Sequence, residues 1–228
     1  MKILGITGGV GSGKSTVLYE LQQKYNAFIV EADKLAHELM MQVEIIYDQI
    51  IKHFGKEILS LDSPYPIDRQ KLGELVFNDK EKLELLNSIS HPLVKQRIME
   101  LIEEKKKSGE KIFVIEAALL IECGYKDICD EIWYVWVDRE ERIKRLMNSR
   151  GYTKEKCLSI FNNQQSDEYY KTYANYTIDN GKSFEYTSKQ LKDLLNKWFI
   201  NVIINWLYSY EGGLWQLWQN IQNHLYLA

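Results

Sequence analysis

Apolar residues in this chain gather into short β-branched runs separated by longer stretches of helical spacing. Ile3-Leu4-Gly5-Ile6-Thr7 is the first run, and with Gly8-Gly9 behind it predicts a buried strand. Ser15 to Tyr25 follows as a helix with Val17, Leu18 and Leu21 on its apolar face. Phe28-Ile29-Val30 is a second strand, ending at Glu31-Ala32-Asp33. From Lys34 to about Lys107 the pattern is mostly helical, broken at Ser63-Pro64-Tyr65-Pro66. Strands are predicted at Lys111–Ile115, Ile132–Val137 and Tyr176–Ile178, the last followed by the turn residues Asp179-Asn180-Gly181. Charged Arg139–Arg150, then Lys154–Tyr173 and Ser188–Trp198, read as helices. Strands alternating with helices predict an α/β fold with a parallel sheet. No internal repeat is visible.

The last stretch differs in character. From Trp198 to Ala228 the only formally charged side chain is Glu211, and Trp198, Trp206, Trp215 and Trp218 all lie there. The run before Gly212-Gly213 is shorter than the roughly 20 residues that span a bilayer, so stable membrane insertion is not expected. Two short helices joined at the glycines are. They either pack on the rest of the chain, form a homo-oligomer contact or lie on a membrane surface.

Composition narrows the classes. The 228 residues suit one domain with inserted lobes. A net charge of −3 argues against a general nucleic-acid binder. Cys123, Cys129 and Cys157 are odd in number and widely spaced, and no Cys-x-x-Cys pair or histidine ligand spacing occurs. Neither a disulfide framework nor a zinc site is expected. The apolar stretch at the N-terminus is too short for a signal peptide, and a cytoplasmic protein is expected.

Gly8-Gly9-Val10-Gly11-Ser12-Gly13-Lys14-Ser15 fits G-x-x-x-x-G-K-[ST]. It follows a predicted strand and opens a predicted helix, the context this phosphate-binding motif requires. Glycines let the loop turn its N–H groups onto phosphate oxygens, and the helix adds its N-terminal partial charge. Lys14 can reach the β- and γ-phosphates and the Ser15 hydroxyl can bind Mg²⁺. Beyond the carboxyl ends of the strands, Asp33 either orients an acceptor hydroxyl or caps the next helix. Glu116 either helps hold Mg²⁺ or is a solvated strand end. Arg142, Arg145 and Arg150 either close over a nucleotide or belong to a solvated helix paired with Glu140 and Glu141.

Taken together, these residues resemble the dephospho-CoA kinase family. The opening Gly5 to Ser15 resembles that family's start almost residue for residue, and Ala32-Asp33 matches the end of its Asp-Ala-Asp-like element. Ile67-Asp68-Arg69 with Leu72 and Phe77, His91-Pro92 as a helix start, Glu116 to Glu122, Arg145-Leu146, Gln164 and Ile178 to Gly181 follow in the family's order. The resemblance covers about residues 1–197. It implies a P-loop NTPase fold with a five-stranded parallel sheet: core 1–33, 110–138 and 174–197, a helical substrate-binding insertion 34–109 and a small lid 139–173. Residues 198–228 would be an extension without counterpart.

The implied reaction moves the γ-phosphoryl of ATP to the ribose 3′-hydroxyl of dephospho-CoA. On that resemblance Gly11, Ser12, Gly13, Lys14, Ser15 and Thr16 bind the ATP phosphates and Mg²⁺, and Asp33 orients the acceptor hydroxyl. Glu116 supports the metal or the substrate side. Arg145 and Arg150 contact phosphate, and Asn180 and Gly181 form the loop near the adenine. Arg69 and His91 are acceptor-side candidates, with pairing to Asp68 and helix capping as their structural alternatives. Asn175 stands where many members carry Asp, with an expected effect on a polar contact under the adenine loop. Glu31 replaces the family's first Asp. The competing readings are another nucleoside or nucleotide kinase of the same fold, or a non-catalytic nucleotide-binding module.

Overall fold

The computed structural model describes residues 1–40, 45–61, 66–77 and 79–209. It divides into two compact units, Met1–Gly181 and Lys182–Ala228. The first holds a five-stranded sheet built from β1 (Lys2–Thr7), β2 (Phe28–Glu31), β3 (Ile112–Glu116), β4 (Glu131–Trp136) and β5 (Tyr176–Asp179). The order is β2-β3-β1-β4-β5 and every pairing is parallel. β1 and β3 are buried at every position, as expected for strands covered on both faces.

Helix α1 (Lys14–Tyr25) follows β1 directly. Between β2 and β3 run α2 (Ala32–Leu39), α3 (Ile45–Phe54), α4 (Arg69–Phe77) and α5 (Lys80–Lys107). The expected break at Ser63-Pro64-Tyr65 lies outside the described residues; on either side of it Leu59 and Ile67 form an antiparallel bridge. The core runs from Ile3, Phe113 and Ile115 of the sheet to Ile46, Ile50, Leu72, Val94, Ile98 and Ile102 of these helices.

Helix α5 corrects one expectation. His91-Pro92 lies well inside it, and Asp79 caps its start by accepting from the Lys82 N–H at 3.1 Å. His91 therefore caps nothing. An interior proline costs about 3 kcal/mol. Val94, Ile98 and Ile102 are buried one turn apart, and each contributes about 1.5–3 kcal/mol. Tertiary burial outweighs the local penalty.

Between β4 and β5 the single expected helix is two, after α6 (Arg139–Arg150): α7 (Lys154–Asn162) and α8 (Asp167–Tyr173). Ser166 ends the run by capping α8, accepting from the Tyr169 N–H at 3.1 Å. Asp167 then accepts from the Tyr134 hydroxyl at 2.7 Å and from Trp136 Nε1 at 2.8 Å. In the second unit α9 runs from Phe184 to Ser209, longer at both ends than Ser188–Trp198. Ser183 supplies an earlier start through its bond to the Tyr186 N–H, and no glycine or proline interrupts the chain before Gly212. The glycine turn and the second tail helix lie outside the described residues. Among those described, no helix is long and apolar enough to cross a membrane.

The Asp167 bonds tie α8 to β4. Asp167→Ala leaves the buried Tyr134 hydroxyl unpaired and is expected to cost about 1–3 kcal/mol in urea unfolding. Asp167→Asn, which keeps an acceptor oxygen, is expected to lose less.

Candidate active site

The phosphate loop leaves the central strand β1 at the carboxyl end of the sheet. Gly8, Gly11 and Gly13 take φ of 153°, 80° and 81°, which L side chains rarely adopt. Gly13 is the N-cap residue of α1, and its carbonyl accepts from the Thr16 N–H at 3.0 Å. Ser15 is exposed in the first turn, Thr16 is half-buried and Ser12 is buried. The Ser12 and Thr7 hydroxyls have no partner among the described residues.

Lys14 folds back over the loop. Its Nζ donates to the Gly8 carbonyl at 2.9 Å and lies 3.4 Å from a Glu116 carboxylate oxygen. Glu116 is 8 % exposed, so the solvated strand end is ruled out. Burial raises its pKa above the ordinary 4.5; Lys14 opposes the shift, while Asp33 and Glu31 add to it. Glu31 sits beside Glu116 in the β2–β3 register, which brings both strand ends to one place.

Asp33 is the second residue of α2 and is exposed. The N-cap position belongs to Glu31, which makes no side-chain cap bond, so the capping role expected for Asp33 is not the one it has. Asp33 stands two residues beyond Glu31, whose register partner is Glu116, and its charge helps raise the Glu116 pKa. Cys123 Sγ lies 3.7 Å from His91 Nε2, which sets His91 of α5 against the segment that follows β3. Burial pushes the Cys123 thiol up to about 11 and lowers the His91 pKa.

Asn180 holds the loop from β5. It is buried, and its Nδ2 donates to the Ser12 carbonyl at 2.8 Å and the Gly13 carbonyl at 3.4 Å. Gly181 follows in a turn closed by its N–H to Asp179 Oδ1 at 2.9 Å. Arg145 Nη2 donates to the Asn180 carbonyl at 2.9 Å, and its Nε to Glu141 at 3.2 Å. Arg150 is exposed, with its guanidinium 6.0 Å from the Tyr152 ring centre, and no described contact joins it to the loop.

Arg69 is exposed at the head of α4, and it too has no described tie to the loop. Asp68 does not pair with it but caps α4, accepting from the Gln70 and Lys71 N–H groups at 2.9 and 3.2 Å. Asn175 also departs from expectation. Its Oδ1 accepts from the Ile132 N–H at 2.7 Å at the amino end of β5, the end opposite Asn180. Its contact secures strand pairing and is remote from the loop.

Residues 2–185 match the profile of the dephospho-CoA kinase family. The chain belongs to that family. A dephospho-CoA kinase of Carboxydothermus hydrogenoformans is 40% identical over 198 residues, 87% of this chain and 95% of the relative. Among solved structures, a Thermus thermophilus protein aligns with a TM-score of 0.71 at 29% identity, over 86% of this chain and 97% of that one. A dephospho-CoA kinase of Campylobacter jejuni aligns with a TM-score of 0.63 at 25% identity, with the same coverage. The fold is that of the P-loop kinases.

Two groups of this kinase carry more of the site than their sequence signal suggests. Gln164 Oε1 accepts from the Val10 N–H at 3.2 Å, and Arg142 reaches the same loop. Gln164's place in the family order was its only signal.

The Lys14–Glu116 pair makes a titration prediction. The Glu116 carboxyl should titrate above 4.5 by carbon NMR, and Lys14→Met should raise it further by removing the opposing charge. With the folded value above the unfolded one, protonating Glu116 favours the fold. That contribution is full below 4.5 and lost as pH rises through the folded value.

Proposed function

We propose that the chain transfers the γ-phosphoryl of ATP to the ribose 3′-hydroxyl of dephospho-CoA, giving coenzyme A and ADP, the final step of coenzyme A biosynthesis. One observation carries the reading: in a chain of this family, Lys14 meets Glu116 where the phosphate loop leaves the sheet, and the β2–β3 register brings the chain leading to Asp33 to the same end. The donor's phosphates enter a loop whose Gly8, Val10 and Ser12 carbonyls already hold side-chain donors. Lys14 exchanges the Gly8 carbonyl for phosphate oxygens, a short movement of a flexible side chain. Asp33, exposed in the first turn of α2, accepts a hydrogen bond from the acceptor hydroxyl and orients it for in-line attack.

Arg145, already anchored by Asn180 and Glu141, offers the rest of its guanidinium to the transferring group. Ser15 and Glu116 supply the hydroxyl and carboxylate oxygens that would hold Mg²⁺. This ion takes one or two protein oxygens and completes its shell with phosphate and water. When bound, it neutralises charge on the phosphates. Arg150, Asn180 and Gly181 belong to the nucleotide side; Arg69 and His91 belong to the acceptor side, within the helical segment 34–109.

A coupled ADP-release assay tests the reading with dephospho-CoA, adenosine and AMP as acceptors. The expected kcat/KM for dephospho-CoA is far above the other two; an equal value for AMP would make the chain a nucleotide kinase. Asp33→Asn should lower kcat by roughly 10²-fold or more with the melting temperature unchanged. Full activity would remove Asp33 from the mechanism.

A further inference from the structure

The loop has a second arginine that the reaction above does not use. Arg142, in the first turn of α6, is 8 % exposed. Its Nε donates to the Val10 carbonyl at 2.9 Å and its Nη2 to Gln164 Oε1 at 2.8 Å. The same Oε1 takes the Val10 N–H, so both backbone groups of Val10 are bound by this pair of side chains. The Phe161 ring lies 4.2 Å from the guanidinium. No described carboxylate forms an ion pair with Arg142. A guanidinium does not shed its charge, so a cation is buried against the phosphate loop without a direct counter-ion.

Gly9 supplies an independent observation. Unlike Gly8, Gly11 and Gly13, it is not in the positive-φ region. What forbids a side chain there is Arg142: a Cβ would sit 2.6 Å from Cζ and 2.9 Å from Nη1 of the guanidinium. The glycine makes room for the arginine.

We propose that Arg142 is the positioning residue of the phosphate loop. With Gln164 it fixes the Gly9–Val10 turn before a nucleotide arrives, and its charge adds to the field that the nucleotide's phosphates enter. The proposal rests on the adenine-nucleotide reading of the loop.

Its test uses the full chain, with ADP affinity by calorimetry in the absence of acceptor, KM for both substrates, and melting temperature. Arg142→Met should weaken ADP binding by on the order of tenfold or more and raise the KM for ATP. The KM for dephospho-CoA should not move. Gly9→Ala displaces only the flexible end of Arg142 and should give the same loss. The double variant should bind ADP no worse than Arg142→Met alone, because the two changes remove one interaction. If Arg142→Met does not fold, Gly9→Ala carries the test, with Gln164→Leu expected to lose affinity as well. Parent affinity for ADP with a lowered melting temperature would make Arg142 merely structural and overturn the proposal, as would full additivity of Gly9→Ala and Arg142→Met. A parent protein that binds no ADP would instead overturn the reading of the loop itself.

Discussion

A backbone loop that aims its N–H groups at a phosphate must turn its carbonyls the other way, and those carbonyls need donors. Most of the surrounding structure answers that demand. The Gly8 carbonyl takes Lys14, the Gly9 carbonyl takes the Ser12 N–H, and the Val10 carbonyl takes Arg142. Ser12 and Gly13 share the Asn180 amide. These donors come from α6 and the end of β5 as well as from the loop. A site built this way is formed before its ligand binds, so less binding energy goes into ordering it.

The sheet order explains how such distant residues meet. β1 is central, with β3 and β4 on either side, so the loop after it lies between the segments that follow those two strands. The β3 end presents Glu116 to Lys14, and the β4 side presents α6. The Glu116 carboxylate therefore meets the loop from the β3 side, and the Arg142 and Arg145 guanidinium groups from the other. That division of charge suits a transfer between an anionic donor and a hydroxyl acceptor.

How much of this is legible in the sequence depends on range. The Gly8–Ser15 spacing announces itself because the chemistry is local and the flanking strand and helix are short and strongly patterned. The five strands are readable for the same reason. His91-Pro92 misleads because proline signals a helix start locally, while burial of Val94, Ile98 and Ile102 decides the matter globally. The break between α7 and α8 hides in a polar stretch whose Gln164 faces the loop and whose Ser166 caps a helix. Arg142 looks like one more charge on a solvated helix, because its partner Val10 is 132 residues away. Asn175 and Asn180 are five residues apart and serve opposite ends of one strand, a difference no spacing rule conveys.

On the proposed function Lys14 exchanges a loop carbonyl for phosphate oxygens, and the rate of phosphoryl transfer to dephospho-CoA by Lys14→Ala tests this most directly. With the fold verified by circular dichroism, kcat should fall by on the order of 10²-fold or more. A folded Lys14→Ala enzyme that phosphorylates dephospho-CoA at near the parent rate would remove Lys14 from phosphate binding.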